Sequence, residues 1–260
     1  MPSVQQDPGS FRDPLSRVFV GPDQVIRGFT AVGKADLDAV WQKKSVQAAL
    51  SSGDLISSTL VDPATVGLGD PWVAAMTHPR VPFVSYPYEW TFSMLKDAAL
   101  LQLRLIRASL ADGVGLKDAT PYNVQFIGSR AQFIDAGSFE GRRKSDPWYG
   151  YRQFCEMFLY PLMLQSYLGV GFQPFLRGAV NGIAPDVMRK LLPASVRHPR
   201  KGRLTHVVLH AAAQNRFADI DTDVKKEAAK AGMSAAVLDA TLRKLEKLVG
   251  SLTLGDRKST

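Results

Sequence analysis

The run RVFVGPDQVIRGF, residues 17–29, places β-leaning apolar stretches on either side of Gly21-Pro22-Asp23, and this predicts a hairpin. Residues 1–14, ahead of it, are polar and proline-bearing, which predicts a loose arm. ADLDAVWQKKSVQAALSS, residues 35–52, sets Leu37, Val40, Trp41 and Ala48 on a helical period and predicts one helix ending near Gly53. VPFVSYPYEW, residues 81–90, is β-leaning but cut by Pro82 and Pro87, which suits an edge or connecting strand. From Thr91 the character changes. TFSMLKDAALLQLRLIRASLADG is apolar around most of its circumference and stops at Gly113, the pattern of a long buried helix. WYGYRQFCEMFLYPLMLQSYLG predicts a second buried helix, kinked or broken at Pro161. Residues 183–204 are punctuated by prolines. In the tail Leu238, Leu242, Leu245, Val249 and Leu252 form one stripe of an amphipathic helix. The chain thus divides into an arm (1–14), a small β-rich part with one helix (15–90) and a larger helical part (91–260) that contains a short strand pair.

Composition narrows the class without naming a function. The 260 residues suffice for a substantial core, and a hydrophobic content of 45% is that of a globular protein. A net charge of +8 favours anionic partners such as nucleotides, nucleic acid or acidic lipid. The single cysteine, Cys155, excludes an intrachain disulfide and sits among apolar neighbours, as a buried inert thiol does. The N-terminus has no apolar core behind a basic patch, and FCEMFLYPLML is shorter than the roughly 18 residues a spanning helix needs. A soluble cytoplasmic protein is expected. His78, His198, His206 and His210 offer no good ligand set. The basic cluster RHPRKGR has no interleaved aromatic residue and reads as a solvated loop, so nucleic acid is not the favoured partner.

The candidate chemistry lies in KDATPYNVQFIGSRAQFIDAGSFEG, Lys117 to Gly141. NVQFI and AQFID flank a turn, and a symmetric hairpin centred on Ser129 sets Asn123 opposite Asp135, with side chains on the same face and Cβ atoms about 5 Å apart. A carboxamide and a carboxylate oxygen meeting there suit a hard cation such as Mg²⁺ beside phosphate. Asp118 leads into the same end and can accept a proton from, or orient, a hydroxyl. The plainer reading is turn chemistry: Asp118 or Thr120 caps a turn, and Asp135 with Gly137 ends a strand.

D-A-T-P-Y-N followed by F-I-D-A-G resembles the D-x-x-x-x-N catalytic loop and D-F-G motif of the protein-kinase-like fold. The wider wording over residues 15–215 is similar to the kinase-like N-terminal portion of bacterial proteins described as SAM-dependent methyltransferases. The resemblance implies a two-lobed α+β fold with an abbreviated β-rich N-lobe and a helical C-lobe. It implies Asp118 as the catalytic aspartate and Asn123 and Asp135 as metal ligands. Arg27, Lys117 and Gly137 become the nucleotide-binding residues, with ATP and Mg²⁺ as cofactors and a hydroxyl-bearing small molecule as acceptor. Departures accompany it. Lys117 stands where arginine is usual, Gly115 where histidine is usual, and Ala136 where D-F-G has phenylalanine. No G-x-G-x-x-G precedes the first helix. Arg27 takes the place of the phosphate-clamping lysine, with Asp36 or Asp38 as its expected helix partner. These departures keep open a non-catalytic kinase-like module acting with a methyltransferase. FIDAGSFEG is no methyl-donor loop, because Phe139 occupies its middle glycine and no helix pattern follows.

Overall fold

Ser16–Val20 (β2) and Gln24–Phe29 (β3) carry buried residues on both faces, and the two pair antiparallel across the expected turn, from Ser16↔Phe29 to Val20↔Val25. The computed structural model describes residues 4–142, 148–192, 200, 202–210 and 235–254. The N-terminal stretch is not a loose arm from Val4 onward. Gln5–Gln6 (β1) pairs with β2, the Asp7 amide donates to the Val18 carbonyl at 2.8 Å, and the Asp7 carboxylate caps the 3₁₀ turn Pro8–Arg12. Polar composition argued for disorder, but the open edge of β2 supplies the backbone partners. Thr59–Val61 (β4) and Ala74–Pro79 (β5) complete an antiparallel sheet of order β1-β2-β3-β5-β4. On one face Phe19, Ile26, Leu68 and Ala75 form a small core, while Phe29 and Met76 join the main core on the other.

The expected single helix over 35–52 is two, Ala31–Trp41 (α1) and Lys44–Ser52 (α2). The break is stabilised by side chains. Gln47 Nε2 donates to the Trp41 carbonyl at 2.7 Å, and Asp112 accepts from the Ser45 amide at 2.6 Å, placing an acid at the start of α2. Gly53, at φ +72°, ends α2 where the sequence suggested. Residues 81–90 do not form a strand. β5 lies just before them, and the stretch is irregular up to the 3₁₀ turn Pro87–Glu89. Its backbone finds a side chain instead of a ladder: buried Gln125 accepts from the Ser85 amide at 2.9 Å and donates to the Ser85 carbonyl at 3.0 Å, while Trp90 Nε1 donates to Ser85 Oγ.

The helical part follows the pattern more closely. Thr91 caps Phe92–Leu110 (α3), which buries Leu95, Ala98, Leu101, Leu103 and Ile106 around most of its surface. After Val114–Leu116 (β6) comes a hairpin, Val124–Ile127 (β7) with Arg130–Phe133 (β8), then Phe139–Gly141 (β9), which pairs with β6. The second buried helix runs through Tyr151–Phe154 (α4), a π-type turn at Cys155–Leu159 and Tyr160–Leu168 (α5). Pro161 has no N–H for the preceding turn, and the wider turn lets the Tyr160 amide bond the Cys155 carbonyl instead. Cys155 is buried, and burial raises its thiol pKa, so it is inert as expected. Gln173–Gly178 (α6) and Pro185–Leu191 (α7) follow. Ala235–Ser251 (α8) lays its expected leucine stripe on the core, pinned to α3 by Arg107 to Asp239 and Glu246, with Lys96 Nζ donating to the carbonyls of Gly250 and Leu252. Of the basic cluster 197–203, only Arg200, Gly202 and Arg203 fall within the described residues.

The architecture is mixed α+β, with one continuous core running from α1 and α2 through α3 and the hairpin to α5 and α8. Among the described residues no helix is long and apolar enough to cross a membrane. Gln125→Ala removes both partners of the buried Ser85 backbone and should cost about 1–3 kcal/mol, read as a lower urea midpoint with unchanged slope.

Candidate functional site

The strand pair holds its two motif residues in a register different from the symmetric one. β7 and β8 pair Val124↔Phe133 through Ile127↔Arg130, around a two-residue loop in which Gly128 takes φ +62°. Asn123 therefore lies opposite Ile134, whose amide donates to the Asn123 carbonyl at 2.8 Å, and does not face Asp135. The tighter loop needs a residue comfortable in the left-handed region, and Gly128 supplies it. Asp135 comes one step beyond the last paired residue, where the chain turns into the 3₁₀ turn Ala136–Ser138.

The loop leading to Asn123 is held from beneath by neutral amides. Gln102, fully buried on α3, donates from Nε2 to the Asp118 carbonyl at 2.9 Å, and Gln153 on α4 accepts from the Ala119 amide at 2.6 Å. The Lys117 amide donates to the Ser138 carbonyl at 2.9 Å, which ties this loop to the turn after Asp135. Thr120 caps its own turn through Tyr122, as the plainer reading expected. Asp118 does not act as a cap. Its carboxylate is solvent-accessible and has no hydrogen-bond partner among the described residues. The protein around it raises its pKa by desolvation, Asp135 adds to this by charge repulsion, and Lys117 opposes both.

Arg27 crosses from β3 to the hairpin. Its Nη2 lies 2.7 Å from Asp135 Oδ1 and its Nη1 donates to Ser16 Oγ at 3.1 Å. The expected partnership with Asp36 or Asp38 is not formed: Asp38 pairs with Lys34 one turn away, and Asp36 lines a small hollow with Lys117 and Gly137. Gly137 is explained by Arg27 itself. A Cβ there would fall 3.0 Å from Arg27 Nη1 and 3.3 Å from its Cδ, so a side chain would push the guanidinium away. Asp13 belongs to the same neighbourhood. Burial disfavours its charge, but the Ser16 hydroxyl, the Leu15 amide and the charges of Lys117 and Arg27 hold its pKa below the ordinary value.

The donor set suits a hard cation in one respect that can be checked. Asn123 Nδ2 is buried with no partner, and carboxamide N and O are interchangeable by a flip, so this orphan position can present an oxygen to a cation. Among the described residues no three His, Cys, Asp or Glu side chains gather into a metal-ligand cluster, so Asn123 and Asp135 would need oxygens from a ligand or water to complete a shell.

Two cavities, with no lining residue in common, lie in this part of the molecule. One, of about 330 Å³, is mostly apolar and lies between β2, β3 and the hairpin, lined by Val18, Val20, Val25, Val84 and Ile134 with His78 at its wall. Burial, then the charge of Arg27, pushes the His78 pKa down to about 4, so the ring is neutral at physiological pH; its Nδ1 lies 2.9 Å from Ser58 Oγ. The other, of about 410 Å³, is polar and opens beside Lys117 and Asp118. Arg27, Lys117, Gly137, Asp118, Asn123 and Asp135 are thus gathered into one region. Sequence reasoning missed Ser16, Gln102, Gln125, Gln153 and Ser138. Gln102 did leave a signal: a lone uncharged polar residue in the apolar run ALLQLRLI.

No protein-family model matches the chain. Over 209 residues, 80% of this chain, it is 37% identical to "Nodulation protein NoeA" of Rhizobium meliloti (strain 1021). The match spans 43% of that relative, so the chain covers less than half its length.

Because its folded pKa is raised, Asp118 contributes stability that is fully present below the ordinary carboxylate value of about 3.9 and is lost as pH rises through the folded value. Asp118→Asn should therefore melt higher than the wild type at neutral pH. The gap should close as pH falls below the carboxylate range, read by thermal denaturation across pH.

Proposed function

We propose that this chain is a protein-kinase-like phosphotransferase domain, with an abbreviated β-rich N-terminal lobe and a helical C-terminal lobe, which transfers the γ-phosphoryl group of ATP to a hydroxyl of a small molecule. The observation that carries the reading is Asp118, an accessible carboxylate without an internal partner among the described residues, which feels the charge of Asp135 and lines a polar cavity. The apolar cavity between β2, β3 and the hairpin is of a size and lining suited to a nucleobase.

In this reading the acceptor hydroxyl enters from the polar cavity and hydrogen-bonds Asp118. Its oxygen forms the new bond to phosphorus, the bond from phosphorus to the β–γ bridging oxygen breaks, and the electron pair leaves on ADP. The hydroxyl proton passes to Asp118 and then to solvent. A raised pKa makes Asp118 a better proton acceptor than an ordinary aspartate. Asn123 and Asp135 would hold Mg²⁺, which supplies charge neutralisation on the phosphates. Lys117, which reaches both the hollow beside Gly137 and the polar cavity, places a positive charge along the transfer path. Arg27 binds phosphate through the guanidinium edge that Asp135 leaves open.

A second reading has one observation in its favour. Arg27 occupies Asp135 in place of a lysine, which suits a module that binds nucleotide without turning it over. Such a module would act beside a methyltransferase, within the longer architecture that the relative's unmatched length allows.

ATP with Mg²⁺ should raise the melting midpoint of the wild type by mass action, and Asp135→Ala should abolish that rise. Asp118→Asn should keep the rise while phosphoryl transfer drops by about 10²–10⁴-fold. No rise in the wild type rejects the phosphotransfer reading and leaves a non-catalytic module that binds a partner in place of nucleotide. A rise without transfer to any hydroxyl acceptor selects the second.

A further inference from the structure

The polar cavity carries information about what fills it. We infer that its occupant is an uncharged, hydroxyl-rich molecule of the sugar or polyol class, bound so that one hydroxyl reaches Asp118. This rests on the phosphotransfer reading for the fate of that hydroxyl, but the binding argument stands on the cavity alone.

Charge is balanced among the described residues of the lining. Arg152 and Glu156 neutralise each other, with Nε donating to Oε1 at 2.8 Å, the glutamate nearly buried and the arginine exposed. Lys117 and Asp118 are the other opposite pair. An anionic or cationic ligand would bring an uncompensated charge to a wall whose described residues have no surplus of either sign, and a charge left unmatched in a partly desolvated cleft is costly. A hydroxyl, by contrast, donates and accepts at once. The groups left over suit it. Gln153 spends its oxygen on the Ala119 amide and keeps its NH₂, and exposed Asn181 offers both a donor and an acceptor across the cleft.

Apolar lining is sparse apart from Met157 and Tyr149. Tyr149 is 68% exposed at the mouth, a large ring kept out of the core where burial would stabilise it. An exposed aromatic ring lining a cleft together with hydrogen-bonding groups matches a ring molecule that has hydroxyls at its edge and C–H bonds on its face. The volume of about 410 Å³ falls within the range for small-molecule sites, roughly 300–1,000 Å³. Gly150 keeps the floor close to the loop: a Cβ there would lie 2.9 Å from that of Ala119, so the cleft cannot narrow from this side by substitution without shifting the loop.

Saturation-transfer NMR on the whole chain tests this without requiring catalysis. The probes are D-glucose, sucrose and myo-inositol, set against D-gluconate and D-glucosamine. At least one neutral probe should receive saturation, and Asn181→Leu should weaken its binding about two- to tenfold, the loss of one neutral hydrogen bond. Tyr149→Ala should reduce it as well, and both variants should retain the ATP–Mg²⁺ melting shift. Absence of binding by every neutral probe overturns the inference, as does preference for either charged probe or indifference to both substitutions. Neutral binding without any ATP shift upholds the sugar site and rejects the phosphotransfer reading.

Discussion

Arg27 and Asp135 are separated by 108 positions in the chain and by 2.7 Å in space, and the site depends on that contact. The pair joins the sheet to the end of the hairpin. Both side chains are largely buried, at 17% and 21% exposure, so removing either partner leaves a charge with poor access to water. The contact is possible because Gly137 has no side chain beneath the guanidinium and because Ser16 fixes its second nitrogen. Sheet register, hairpin turn and glycine position have to agree for one ion pair to form. Its electrostatic reach extends to Asp13 and His78 on either side.

Around this charged contact, neutral amides do the positioning. Gln102, Gln125 and Gln153 each come from a different element, and each bonds backbone in an irregular segment. A glutamine carries donor and acceptor at the end of a flexible stem without the desolvation cost of an ion. The loop bearing Asp118 and the segment through Ser85 are thus held firmly while the Asp118 carboxylate keeps its freedom to bind something else.

Much of the frame was legible because it rests on local signals. The turn at Gly21-Pro22-Asp23, the apolar circumference of α3, the stop at Gly53 and the tail stripe all follow from spacing within a few residues. What was not legible depended on distant partners or single-residue choices. The strand expected at 81–90 has β-leaning residues, but its backbone is claimed by Gln125, forty positions away. The arm at 1–14 has a polar composition, but β2 offers it an edge. The pairing of Asn123 with Asp135 failed by one residue, because NVQFI-GSR-AQFID accommodates loops of two or three residues and only the left-handed Gly128 distinguishes them. The candidate residues converge all the same. Convergence was written into the motif spacing, whereas the choice of Asp135 over Asp36 or Asp38 for Arg27 was not.

The π-type turn at Cys155–Leu159 has a bearing on how this chain can diverge. An inserted residue in a helix rotates everything on one side of it by about 100° relative to the other, since each residue advances the helix by that angle at 3.6 residues per turn. Upstream of the turn Arg152 and Gln153 look into the polar cleft; downstream, Leu162 and Met163 are buried in the core. Shortening Cys155–Leu159 by one residue would give a straighter rod yet swing one of those two faces out of phase. In descendants of this chain, length across that interval is therefore constrained together with Glu156, and a gap there would mark a protein whose cleft has been rebuilt.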